Sequence, residues 1–200
     1  RKLPFTFRKE QLRFDRPLTA GILRLGVPIA LQDVLVGVSF LVILAIVNSL
    51  GLLQSAGMGI AEKVCAFVML LPSAFSQSVS AFVAQNTGAG KPERAKKALR
   101  YSVAASLSIS VFVFYFNFFH GDLLAGIFAN DRAVVLEAAD YLKAYAIDCL
   151  LTSFLFCFVG YFSGLGKTVF VMAQGILGAF GVRIPVSFAM SRLPNVRLFY

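Results

Sequence analysis

Residues 72–99 read PSAFSQSVSAFVAQNTGAGKPERAKKAL, and the stretch changes character twice. From Pro72 to Val83 it is apolar and small, with serines at 73, 76, 78 and 80. From Gly88 to Arg100 it is a glycine and proline turn carrying five Lys or Arg. Apolar character then returns from Leu99 to His120. An apolar helix that stops at a basic, glycine-rich turn and restarts as another apolar helix reads as two membrane spans joined on one side. Gln85, Asn86, Gly88 and Gly90 stand where the last carbonyls of the first helix need partners, and glycine permits the left-handed backbone that supplies them. The stretch is therefore expected to be architectural, marking a tight turn.

The same alternation runs along the whole chain. Hydrophobic residues make up 58% of the 200, charged residues 14%, and mean hydropathy is +0.77. Soluble domains carry roughly 25% charged residues. A spanning helix takes about 20 mainly apolar residues, and five such runs occur, at about 19–49, 57–87, 99–120, 138–163 and 168–190. Pro28, Pro72 and Pro185 fall inside them, as a helix bundle tolerates. Residues 121–128 (GDLLAGIF) read as a short interfacial helix, Asn130-Asp131 as a turn, and Ser163–Thr168 (SGLGKT) as a tight connection. The expected fold class is an all-α polytopic membrane protein of about five transmembrane helices. Residues 1–18 would be a loop before the first span and 191–200 the start of a loop after the last. Beginning at Arg1 in a basic stretch and stopping at Tyr200 in a loop, the chain reads as a fragment cut on both sides, with no signal-peptide pattern.

Charge gives orientation. The segment through Arg24 holds seven Lys or Arg, residues 88–100 five, and the 163–168 turn Lys167. With five spans, those thirteen of nineteen basic residues share one side. The opposite side has Arg132 before Ala138, and it carries Asp122, Asp131 and Glu137. The basic side is expected to be cytoplasmic, in a cell membrane. The net charge of +9 is then topogenic, facing anionic lipid, and implies no nucleic-acid partner.

Several patterns resemble chemistry without supplying it. SGLGKT ends like a phosphate loop, but that motif needs glycine at position 161, where Tyr161 stands, and a strand before it. His120 has no second histidine and makes no metal site. Cys65, Cys149 and Cys157 sit in apolar runs and read as buried small residues. No catalytic residues and no cofactor are expected, and the chain does not read as an enzyme.

Leu25-Gly26-Val27-Pro28-Ile29-Ala30-Leu31-Gln32, the Pro72–Leu99 stretch with its Ala-Gln-Asn-x-Gly-Ala-Gly-Lys run, and Gly160–Thr168 together resemble the multidrug and toxic compound extrusion (MATE) family of antiporters. The resemblance covers about Pro17 to Met190. It implies one six-helix lobe of a two-lobed, twelve-helix transporter that exchanges a bulky, often cationic, organic compound for Na⁺ or H⁺. Many first lobes carry Asn-x-x-Asp-Thr in their first helix and this chain does not, so the resemblance points to the second lobe, helices seven to eleven. The implied partners are a small organic substrate, the bilayer, and the first lobe and last helix of the same polypeptide. A lipid-linked precursor flippase of the same superfamily is the alternative, and it should show a cavity rich in Arg and Lys.

Function must lie with polar groups at membrane depth, where an ionisable side chain is costly. Asp33, Glu62, Lys63, Asp148 and Arg183 are the five. Glu62, Met69, Ser73, Ser76 and Ser80 fall near one helical face with Gln77 beside it, and Tyr141, Tyr145, Asp148 and Thr152 share another. Asp33, Asp148, Glu62, Thr152, Tyr145 and Gln77 are the candidates for binding the coupling ion or the substrate. Tyr and Phe faces attract an organic cation, and competition for one carboxylate would make an antiporter. Two other readings stand beside this one: Lys63 and Arg183 as structural partners of Glu62 and Asp148 in internal ion pairs, and the serine stripe as helix packing. By the resemblance, some relatives carry a coupling acid near the positions of Val36 and Thr152. Here the acids stand about a turn earlier, at Asp33 and Asp148.

Overall fold

Asp15 starts the first helix: its carboxylate accepts from the Leu18 N–H at 3.1 Å, and Pro17 sits in the first turn, where its missing N–H costs nothing. The structure is a computed structural model and describes residues 15–192. The expected leading loop up to residue 14, and residues 193–200 of the trailing one, lie outside the described residues. Helix α1 spans Arg16–Asn48, α2 Leu52–Gly88, α3 Pro92–Phe119, α4 Gly121–Gly126 and α5 Arg132–Gly164. Then α6 covers Thr168–Ile176, a π-helical segment Leu177–Arg183, and α7 Ile184–Ser191, which together form one rod. Among the described residues, five helices are long and apolar enough to cross a membrane, with α4 a short piece between the third and fourth. Both Pro28 and Pro72 are absorbed within unbroken α-helix.

The helices begin earlier than the apolar runs do, because caps rather than hydropathy set their starts. Pro92 opens α3 seven residues before Leu99, with Glu93 in the first turn, where the helix dipole favours an acid. Asp131 caps α5, accepting from Ala133 N–H at 2.8 Å, so that helix begins at Arg132.

The two turns on the basic side share one construction. At the end of α2, Lys91 N–H reaches the Asn86 carbonyl at 2.8 Å and Gly90 N–H the Thr87 carbonyl at 3.0 Å, with Gly90 at φ +69°. At the end of α5, Lys167 N–H reaches Phe162 and Gly166 N–H reaches Ser163, both at 2.9 Å, with Gly166 at φ +76°. Each is a Schellman motif, in which a left-handed glycine lets two N–H groups turn back onto orphan carbonyls. The phosphate-loop likeness of SGLGKT has this backbone cause. Asn86 is itself buried and donates from Nδ2 to the Phe82 carbonyl at 2.8 Å.

Packing divides the helices into two groups. In one, α2, α3 and α5 lie against each other, with α4 beside them. In the other, α1 packs along α6, the π segment and α7, and this group touches the first where α1 meets α2 and α6 meets α5. The buried core is built of small residues: Ala61, Val64, Ala125, Ala138 and Leu142 in one cluster, Val79, Val83 and Ala95 in another. Large residues such as Leu70, Phe112, Leu151 and Phe170 point outward. Lipid is as apolar as leucine, so helices in a bilayer associate through close backbone approach instead. Gly160 provides it: a Cβ there would strike the Ser76 carbonyl and Cα. One turn on, a Cβ at Gly164 would lie 2.6 Å from the Ser80 oxygen. The stretch around Ser76 and Ser80 is thus a packing surface for α5.

Candidate functional site

The sequence placed Tyr141, Tyr145, Asp148 and Thr152 on one face of the fourth span, and the structure holds them together on α5. Thr152 Oγ1 donates to Asp148 Oδ2 at 3.2 Å. Thr152 is buried and Asp148 exposed, so the hydroxyl steadies a carboxylate that faces out of the bundle. Tyr141 and Tyr145 lie within electrostatic reach of Asp148, as does Cys65 of α2. Tyr145 Oη is buried where α2 meets α5, beside the Cys65 thiol. Glu62, one turn before Cys65, is half-buried and belongs to the same neighbourhood. The result is two carboxylates, two phenols and a thiol where α2 packs on α5.

Asp33 is elsewhere. It is exposed on α1, whose approach to the α5 cluster is made further along, where Ile43 and Val47 form a buried cluster with Met58 against which Tyr141 packs. Its neighbour Gln32 is wedged against Gly175 of α6 with its Oε1 buried and unpartnered. Gln77 is exposed and donates to Ser73 Oγ at 3.3 Å, away from the acidic pair.

The internal ion pairs weighed from the sequence do not form. Among the described residues the ion pairs are Lys96–Glu93 and Lys143–Asp140, both at 2.8 Å and both exposed. Glu62 and Lys63 are sequence neighbours, whose side chains diverge on a helix, and Lys63 is exposed. Arg183 ends the π segment, whose backbone packs on α1 rather than α5; its charge reaches Tyr141 of α5 but forms no ion pair with Asp148. Its guanidinium lies over the Phe40 ring, 4.5 Å from the centroid, a cation–π contact in place of a salt bridge.

A buried polar seam between α3 and α5 was missed by the sequence reading. Ser110 and Ser153 are hydrogen-bonded through their hydroxyls, and Ser153 Oγ also donates to the Cys149 carbonyl at 2.9 Å. Ser106 and Asn117 are buried on the same face of α3. The signal was present: Ser106, Ser110 and Asn117 follow steps of four and seven in an otherwise apolar helix.

A sequence model of the MatE family matches residues 28–189, most of the five-span bundle. The chain belongs to the MatE family. Among its relatives is a probable multidrug resistance protein, YoeA, from Bacillus subtilis (strain 168), 25% identical over 99% of this chain and 43% of that protein. Another is the multidrug export protein MepA of Staphylococcus saprophyticus, 28% identical over 91% of this chain and 40% of that protein. This MatE chain therefore spans about two fifths of the length of those relatives. The second of these names describes an export protein. A solved structure of a MOP superfamily transporter from Pyrococcus furiosus superposes with a TM-score of 0.71 over 86% of this chain and 37% of that one. At 19% identity it shows that the two share a fold. The MatE chain is a multi-pass membrane protein.

Proposed function

We propose that this chain forms one lobe, the second, of an antiporter that exports organic, cationic drugs or metabolites in exchange for Na⁺ or H⁺. The observation that carries the reading is the Asp148 carboxylate. It stands within a 33-residue apolar helix, accepts one hydroxyl hydrogen bond, and takes part in no ion pair among the described residues. A carboxylate at membrane depth is costly unless something meets its charge. A mobile cation, either coupling ion or substrate, is the partner that suits it, and the two phenol rings beside it suit an organic cation. Exchange follows when both cations compete for that carboxylate. The multidrug names of the relatives support the same substrate class. The flippase alternative is weaker, since Arg183 is occupied by Phe40 and the clustered groups are acids and phenols.

The test is efflux by the full-length protein in proteoliposomes under separate Na⁺ and H⁺ gradients. Asp148→Asn is expected to reduce gradient-driven efflux to that of empty vesicles at normal expression, and Asp33→Asn to do the same if the lobe's first helix also carries the ion. Undiminished transport by both variants would sink the coupling role. The proposed topology places the 88–100 turn in the cytoplasm of a cell membrane. Lys96→Cys should then label with an impermeant maleimide only after the cells are opened, and labelling of intact cells would invert the topology.

A further inference from the structure

Near the α4 end of the bundle, a cavity of about 300 Å³ opens between α2, α3 and α4, reaching Val64 beside Cys65. Its walls are Phe67 of α2, Phe112 and Phe116 of α3, Leu124 of α4, and Phe128 just beyond it. The Phe67 and Phe128 rings stack at 6.2 Å. Phe67 and Phe112 are both about two-thirds exposed, so the mouth faces outward from the bundle, towards lipid. One polar side chain, Asn117, lines this space. Asn117 is 1% exposed, and its Oδ1 has no hydrogen-bond partner.

The chemistry of that orphan is constrained. Asn117 Nδ2 donates to the Val113 carbonyl at 3.0 Å. A carbonyl only accepts, so the amide cannot be turned round, and the free atom must be the acceptor oxygen. A buried acceptor left without a donor costs about 1–3 kcal/mol. Water is a poor remedy, because a buried water needs two to four polar partners and this cavity offers one. A lipid acyl chain fills the space without supplying a donor. We propose that this cavity binds a neutral amphiphile reaching it sideways from the bilayer, an aromatic body held among the phenylalanines with one O–H or N–H donated to Asn117 Oδ1. The volume is at the small end for ligand pockets, which suits a body of about two fused rings. The site shares no polar group with the Asp148 cluster, and the proposal does not depend on the transport reading.

The experiment uses the full-length protein in nanodiscs with a diazirine-bearing naphthol and its methyl ether, compared at equal concentration in the bilayer. Expected are saturable labelling of the 112–128 region by the naphthol, displaced by unlabelled 1-naphthol, and about ten-fold weaker binding of the ether, the scale of one buried hydrogen bond. Asn117→Leu should bring the naphthol down to the level of the ether, while the ether is unaffected. Equal binding of naphthol and ether to the unaltered protein would mean apolar filling only and overturn the proposal, whatever the variant does. So would naphthol labelling confined to other spans, or naphthol binding unchanged by Asn117→Leu.

Discussion

The α2–α3–α5 body and the α1–α6–α7 pair are both made of apolar helices, yet they are built on different terms. In the most apolar stretch of α5, 33% of residues are buried, in α2 28% and in α3 17%; in α1 and in the Thr168–Ser191 rod the figure is 11%. In the body, glycines bring backbones into contact, and hydroxyls are hydrogen-bonded between helices at the α3–α5 seam. In the pair, Gly21, Gly26, Gly37, Gly178 and Gly181 have nothing within reach of an added Cβ. Glycine is mostly a packing device in the body and mostly open space in the pair, where Gly175 against Gln32 is the exception. The body is a finished object, whereas the pair presents a face that is largely uncovered. It is also the pair that holds Asp33 and Arg183, while Asp148 and Glu62 stand on the body.

Substitutions at three glycines break or sharpen this contrast, read as thermal stability of the purified full-length protein in detergent. Gly160→Leu should be the most damaging, at about 3 kcal/mol, because its side chain meets the backbone of Ser76 and neither helix can yield without unseating the other. A mild effect there would mean that α2 and α5 are not tightly joined. Gly175→Ala should cost about 1 kcal/mol, since its Cβ meets the Gln32 side chain at 2.8 Å and that side chain can move. Gly37→Ala should be neutral or stabilise by about 0.5 kcal/mol, the ordinary gain of alanine over glycine in a helix interior. A loss at Gly37 as large as that at Gly160 would show this face to be packed against another part of the full-length protein, and the contrast would then belong only to the chain described here.

How much of this was legible depends on which physical signal each feature left. The five spans were readable because length and apolarity are one-dimensional properties. Their starts were not, because apolar windows ignore caps. Pro92 with Glu93, and Asp131 before Arg132, were visible as cap signals, but hydropathy pushed the boundaries inward by about six residues. The α5 face of Tyr141, Tyr145, Asp148 and Thr152 was readable because it is local to one helix. Whether Asp33 joins it was not, since spacing gives depth along a helix and says little about which neighbour the helix chooses. The pairing of Arg183 failed for the same reason, and the π segment compounds it. LGAFGVR reads as unremarkable helix, and nothing in its composition announces the wider winding.

That wider winding has a consequence for how related chains compare. A π-helical turn accommodates one residue more than an α-turn while the helix on either side continues. Leu177–Arg183 can therefore be seen as a stretch where the chain holds a surplus residue without altering where α6 and α7 point. A relative lacking one residue there could wind as plain α-helix and keep Pro185 and everything after it in phase. A one-residue gap in an alignment across this stretch would be structurally silent, although the same gap in α2 or α5 would turn every later side chain by about 100°.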